Sequence, residues 1–213
     1  MRYGSREWFL ETPDEACRER RRRKHVEVAG LTVIEGVNEE EVAWTWANIR
    51  PEEKQEACEA CGFAREEVRG KREEEARIAH FEAAKKAERS FAIYHGDALL
   101  AIAIVDKVEG GRLKVEQRKE NSTVPPSTSN LRPVNFLSME RTVNALKPGH
   151  RFTWLRGYGP LGRWIGGQYP DGLWTVTPTD LPRALDVYRH AGAERTGETV
   201  KVGGREYWVL KIS

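Results

Sequence analysis

A chain of 213 residues, 32% charged and 39% hydrophobic with seven Trp, suits one sizeable domain with a real core and excludes a disordered or fibrous polymer. The net charge of +2 is too small by itself to imply a nucleic-acid partner. No apolar run reaches membrane-spanning length, and the first residues lack the apolar segment of a signal peptide, so a cytosolic protein with no membrane contact is expected.

The chain opens on a basic arm, residues 1–25. Its run Arg18, Arg20, Arg21, Arg22, Arg23 and Lys24 is the candidate contact for a protein partner or, weakly, for nucleic acid, although such runs are more often solvated faces. "VEVAGLTVIEGV" (Val26–Val37) alternates apolar and polar types and is rich in β-branched residues, which predicts a strand or hairpin. Asn38 followed by Glu41 has capping-box spacing for "EEEVAWTWANI", where Val42, Trp46 and Ile49 share one face. Pro51 starts a second helix that Gly62 closes. Cys58 and Cys61 fall within it and, with no second CxxC or His pair, read as plain thiols rather than metal ligands. A charged helix follows from Arg65 to Glu88, with Val68, Ile78 and Phe81 as a narrow apolar stripe.

"SFAIYHGDALLAIAIVDKVEGGRLKVEQR" then predicts an antiparallel meander with turns at His95-Gly96-Asp97 and Gly110-Gly111. Residues 119–132 have the composition of a polar loop, and "PVNFLSME" (Pro133–Glu140) returns to strand. Further on, "LWTVTP" reads as strand. "DLPRALDVYRHAG" reads as helix, with Asp180 as N-cap, Pro182 in the first turn and Gly192 at the close, and a hairpin around Gly203-Gly204 ends the chain. The sum is an α/β (α+β) domain: a mixed, mostly antiparallel twisted sheet with helices on both faces.

Between these elements lies "RGYGPLG" (Arg156–Gly162), which supports two readings. As a loop opening a helix, it would be a backbone cradle for a phosphate. As part of one bent helix from about His150 to Tyr169, it places Trp154, Tyr158, Leu161, Ile165 and Tyr169 on a continuous apolar stripe, with Pro160 bending the helix. The stripe favours the helix.

The order of elements resembles the GNAT fold of acyl-CoA-dependent N-acyltransferases. The closing strand, then a helix ending in Tyr188, then Gly192-Ala193 is similar to that family's final pattern, with Thr179-Asp180 where an Asn is usual and Ala193 where a Phe is usual. The layout, and the phrase "VAWTWANIRPEE", further resemble small GNAT-like proteins encoded in the structural or assembly gene clusters of short-tailed bacteriophages. That resemblance implies a virion or assembly component acting through other virion or assembly proteins, located in the virion or the host cytoplasm and requiring no cofactor.

The alternative implied by the wider family is an active N-acetyltransferase using acetyl-CoA. It would need a pyrophosphate cradle, a base for the amine and an acid for the departing thiolate. The family's loop pattern places the cradle at Arg156, Gly157, Gly159 and Gly162, although Leu161 occupies a glycine or alanine position and Pro160 removes an amide. Tyr188 is the implied acid. Glu140, at the end of the presumed central strand, is the best-placed base. The histidines show no ligand spacing, so no metal is expected.

Overall fold

The computed structural model describes residues 22–49, 75, 78, 82, 84–108, 134–202 and 205–213. The arm before residue 22, the helix from Pro51 to Gly62, the turn at Gly110-Gly111, the polar loop 119–132 and the turn at Gly203-Gly204 lie outside these residues.

The described chain runs β1 (His25–Val28), β2 (Leu31–Glu35), α1 (Glu39–Asn48), β3 (Arg89–His95), β4 (Ala98–Val108), β5 (Val134–Arg141), α2 (Pro148–Gly166), β6 (Leu173–Pro178), α3 (Pro182–His190), β7 (Ala193–Val202) and β8 (Arg205–Ile212). A short 3-10 turn, Val143–Leu146, joins β5 to α2. The eight strands form one sheet in the order β1-β2-β3-β4-β5-β6-β8-β7. Every neighbouring pair is antiparallel except β5 and β6. That pair is parallel because α2 carries the chain back across the sheet between them, as a crossover must.

Both faces of the central strands are covered, which explains why "SFAIY" and "ALLAIAIV" read as nearly unbroken apolar runs. On one face α2 and α3 pack Trp154, Leu161, Ile165 and Leu185 against Leu31, Phe91, Leu137 and Leu210. On the other, Val42 of α1 and Ala84 meet Ile34, Tyr94, Leu99 and Ile102. The expected helices on both faces are present.

Local chemistry fixes the joints. Asn38 caps α1: its Oδ1 accepts from the Glu41 amide at 2.7 Å, and Glu41 Oε2 accepts from the Asn38 amide at 2.8 Å, which is the predicted capping box. Glu41 is fully buried, and its other oxygen accepts from Arg23 Nη1 at 2.8 Å and from the Tyr94 hydroxyl at 2.6 Å. Arg23 also donates to the Gly36 carbonyl, so this member of the arginine run is tied into the fold. A bulge sets Leu100 as an extra residue opposite Ile93 and Tyr94. The hydroxyl of Thr142, just past β5, donates to the Leu99 carbonyl at 2.6 Å, and the Thr142 amide donates to that of Leu100 at 2.8 Å, anchoring the end of β5.

One expectation is corrected. Asp180 does not cap α3; Leu181 holds that position without a side-chain cap, because the Asp180 carboxylate accepts from Arg205 Nη2 at 2.9 Å and Nε at 3.1 Å. Two charge-assisted bonds outweigh one bond to a backbone amide. Ile78, of the charged helix, is 49% exposed, and Val68 and Phe81 lie outside the described residues.

Candidate functional site

Strands β5 and β6 begin side by side and then part. Their ladder holds Asn135 to Leu173 and Phe136 to Trp174, and the Thr175 hydroxyl donates to the Leu137 carbonyl at 3.0 Å. Beyond that point β5 stays paired with β4 as far as Arg141, and β6 stays paired with β8 as far as Pro178. The facing edges of Ser138–Arg141 and Val176–Pro178 therefore carry no ladder to one another. A strand edge of this kind is a row of backbone donors and acceptors able to receive an extended chain.

Side chains flank this parting from both faces. Leu137 belongs to the α2/α3 core, whereas Glu140 is paired with Ile102 of the α1 core and so points to the α1 face, with only 9% of its surface exposed. Tyr188, on α3, packs against the α2/α3 core. Its ring meets that of Tyr158 edge to face, with centroids 5.7 Å apart and planes at 85°. Burial pushes the Tyr158 phenol well above its ordinary range, the neighbouring charge and hydrogen bond of Tyr188 push the same way, and Arg141 opposes them. Thr177 is fully buried on this side, and its hydroxyl has no hydrogen-bond partner among the described residues.

The start of α2 lies at the same end of the sheet. Its first turn has no side-chain cap and no acidic residue, and a Cβ at Gly149 would meet nothing within 4 Å. The Nδ1 atoms of His95, at the end of β3, and His150, in that first turn, are 2.9 Å apart, tying the helix start to the β3–β4 turn.

"RGYGPLG" lies in the middle of α2, as the helix reading expected, with Pro160 inside the helix. Trp154, Tyr158, Leu161 and Ile165 are all buried on its inner side, and Tyr169, just past the helix end, is buried as well. The glycines have a packing reason. A Cβ at Gly157 would lie 2.6 Å from Leu31 Cδ1, one at Gly159 would lie 2.8 Å from the His190 carbonyl oxygen, and one at Gly162 would lie 2.5 Å from the Ala191 Cβ. These positions are helix-interior, where amides are used within the helix, whereas a phosphate cradle draws on the orphan amides of a helix start. Arg156 is on the outward side, its guanidinium 4.0 Å from the Phe152 ring centroid.

The structure thus brings Tyr188 to Tyr158 and sets Glu140 on the opposite face. Sequence reasoning counted Tyr158 only as part of an apolar stripe. The available signal was its hydroxyl, which a buried position must satisfy. Of the basic run, Arg18, Arg20 and Arg21 lie outside the described residues. Among the described residues no group of three His, Cys, Asp or Glu is placed to hold a metal, and no helix is long and apolar enough to cross a membrane.

No family model and no curated protein matches the chain. Solved structures do. The chain is similar to AAC(6')-Ib in complex with ribostamycin and coenzyme A, at 16% identity over 86% of this chain and 93% of that one, with a TM-score of 0.55. A GNAT-family acetyltransferase from Streptococcus agalactiae is similar at 12% identity over 88% and 98% of the two chains, with a TM-score of 0.52. A second structure of AAC(6')-Ib, with paromomycin and acetyl-CoA, gives 15% identity over 86% and 93% of the chains and a TM-score of 0.51. At these identities the likeness is one of fold, and the fold is that of the GNAT acetyltransferases.

Proposed function

We propose that this chain is a CoA-dependent N-acyltransferase, moving an acyl group from a thioester to an amine. The observation that carries the reading is the parting of β5 and β6, with a carboxylate on one face and a phenol on the other. Solved relatives of the fold that hold coenzyme A or acetyl-CoA support it.

The residues present fit the cofactor. The edge of Ser138–Arg141 that faces β6 without a ladder would offer strand-type hydrogen bonds to an extended pantetheine arm. The uncapped first turn of α2, with open space at Gly149 and with His150 and Arg151 beside it, suits a pyrophosphate through its orphan amides and positive helix end. On this reading the cradle is the start of α2 rather than Gly157, Gly159 and Gly162, which lie close against Leu31, His190 and Ala191. Arg156 is left as an outward-facing cation.

When bound, the thioester supplies an activated acyl carbon and a thiolate leaving group. Glu140, reached from the α1 face, takes the proton of the attacking amine. Tyr188, on the α2/α3 face, gives a proton to the departing sulfur. The two roles fall on opposite faces because the reacting carbon sits in the gap that joins them.

Isothermal titration with acetyl-CoA and a discontinuous assay over a panel of primary amines test the reading. Saturable heat and amide formation are expected, with Tyr188→Phe and Glu140→Gln each lowering kcat by about 10²-fold or more. Absence of both heat and turnover sinks the proposal. The virion or assembly role expected from the sequence rests on the sequence alone; neither the fold nor the comparisons bear on it.

A further inference from the structure

Thr175 and Thr177 are successive residues on one face of β6, and only one of their hydroxyls is satisfied. Burial alternates along the strand, and Leu173 at its start belongs to the α2/α3 core, so both threonines face that layer. Thr175 Oγ1 reaches across to β5 and donates to the Leu137 carbonyl at 3.0 Å. Carried on from Phe136 and Trp174, the ladder register would set Thr177 against Met139. There the strands have parted, and the Thr177 hydroxyl, fully buried, has no hydrogen-bond partner among the described residues. A buried hydroxyl left in this state costs stability until something accepts from it.

The next residue removes the backbone alternative. The Thr179 amide donates to the Glu206 carbonyl of β8 at 3.0 Å, and Pro178 is paired with Tyr207 of the same strand. Backbone groups alternate in direction along a strand, so the Pro178 nitrogen lies on the side of β6 that faces β5. A proline there has no N–H to give, which is also why an inner strand tolerates it only where no ladder runs. Along this part of the gap, a ligand acceptor meets a hydroxyl where a strand would supply an amide.

We propose that Thr177 is a substrate-contacting residue: its hydroxyl donates to an amide carbonyl of the pantetheine arm of a CoA thioester lying between β5 and β6. This rests on the acyltransferase reading. The acceptor is an amide carbonyl because that group is chemically the peptide carbonyl which Thr175 already binds and which the parting of β5 denies to Thr177. The hydroxyl is covered in the free chain, so the arm reaches it by widening a seam that two residue pairs and the Thr175 hydroxyl hold. The contact belongs to binding of the arm and leaves the chemistry of acyl transfer to other groups.

The test uses the full chain and two readouts that need no turnover. Thr177→Val keeps the branched shape and removes only the donor. Calorimetric titration with CoA, which has the arm but no acyl group, should show Kd raised about tenfold in Thr177→Val, with Thr177→Ser within about twofold of wild type. Without ligand the order reverses: Thr177→Val should melt at or above the wild-type temperature, because a methyl group replaces an unsatisfied hydroxyl. A structural hydroxyl would give the opposite result, a variant that melts lower and binds CoA unchanged. Wild-type affinity for CoA in Thr177→Val, a loss of affinity equally large in Thr177→Ser, or a melting temperature in Thr177→Val more than about 2 °C below wild type overturns the contact and leaves the acyltransferase reading intact. A wild-type chain that takes up no CoA overturns both.

Discussion

Gly162 shows how little of a residue's purpose is local. Its neighbours in sequence suggested a phosphate loop, yet the atom that forbids a side chain there is the Cβ of Ala191, 2.5 Å from where one would stand. Gly162→Ala must push α3 away or bend α2, an overpacking cost of about 1–3 kcal/mol measurable by urea denaturation. The same change at Gly149, with nothing within 4 Å, carries no such clash. Glu41 is the other decisive residue. Its buried carboxylate accepts from Arg23, Tyr94 and the Asn38 amide, so Glu41→Gln leaves the Arg23 guanidinium without its counter-charge. A loss of about 3 kcal/mol is expected by chemical denaturation, the scale on which breaking a buried pair by altering one partner is felt. The capping role of Glu41 was legible from its spacing to Asn38. Its bonds to Arg23 and Tyr94 were not, because those residues are 18 and 53 positions away.

At the scale of elements, period and punctuation carried most of the information. The stripe from Trp154 to Ile165 identified α2 despite Pro160, since four buried side chains at helical spacing outweigh one missing backbone bond. Asp180 misled because a sequence shows that a carboxylate is near a helix start but not that Arg205, from another strand, competes for it. A comparable pair joins β2 to β3: Arg89 Nε donates to Glu35 Oε1 at 2.6 Å. That hydrogen bond, more than the charge alone, holds the Glu35 carboxyl below its ordinary value of 4.5, partly offset by desolvation. A carboxylate with a lowered pKa adds stability above its unfolded value, and that stability is lost as pH falls through the lower folded one. Because Glu35 is largely exposed, the difference between wild type and Glu35→Gln should be only about 0.2–1 kcal/mol at pH 7. It should shrink as pH falls below 4.5, as paired denaturation curves at pH 7 and in acid would show.

For the whole molecule, the sheet and its two layers of helix followed from composition and element order, because apolar alternation reports burial whatever the partner. The parting of β5 and β6 did not. It depends on how far two parallel strands stay together after a crossover, and no residue in "PVNFLSME" or "LWTVTP" marks where that ends. The opposite faces taken by Glu140 and Tyr188 become meaningful only once the gap is known.

That short ladder also bears on motion. Strands β1–β5 form one leaf and β6–β8 another, and the backbone joins them directly through two residue pairs and the Thr175 hydroxyl. The join is a seam, the place where the sheet has least to lose by opening. Amide hydrogen exchange should therefore be fastest, among the inner strands, at residues 138–141 and 176–177, and slowest at 99–105. An extended ligand lying in the gap would become the missing rungs, so its binding should slow exchange along that line and raise the melting temperature of the whole sheet. On the proposed reading the sheet is open by a strand's width, and an extended ligand in the gap would complete it.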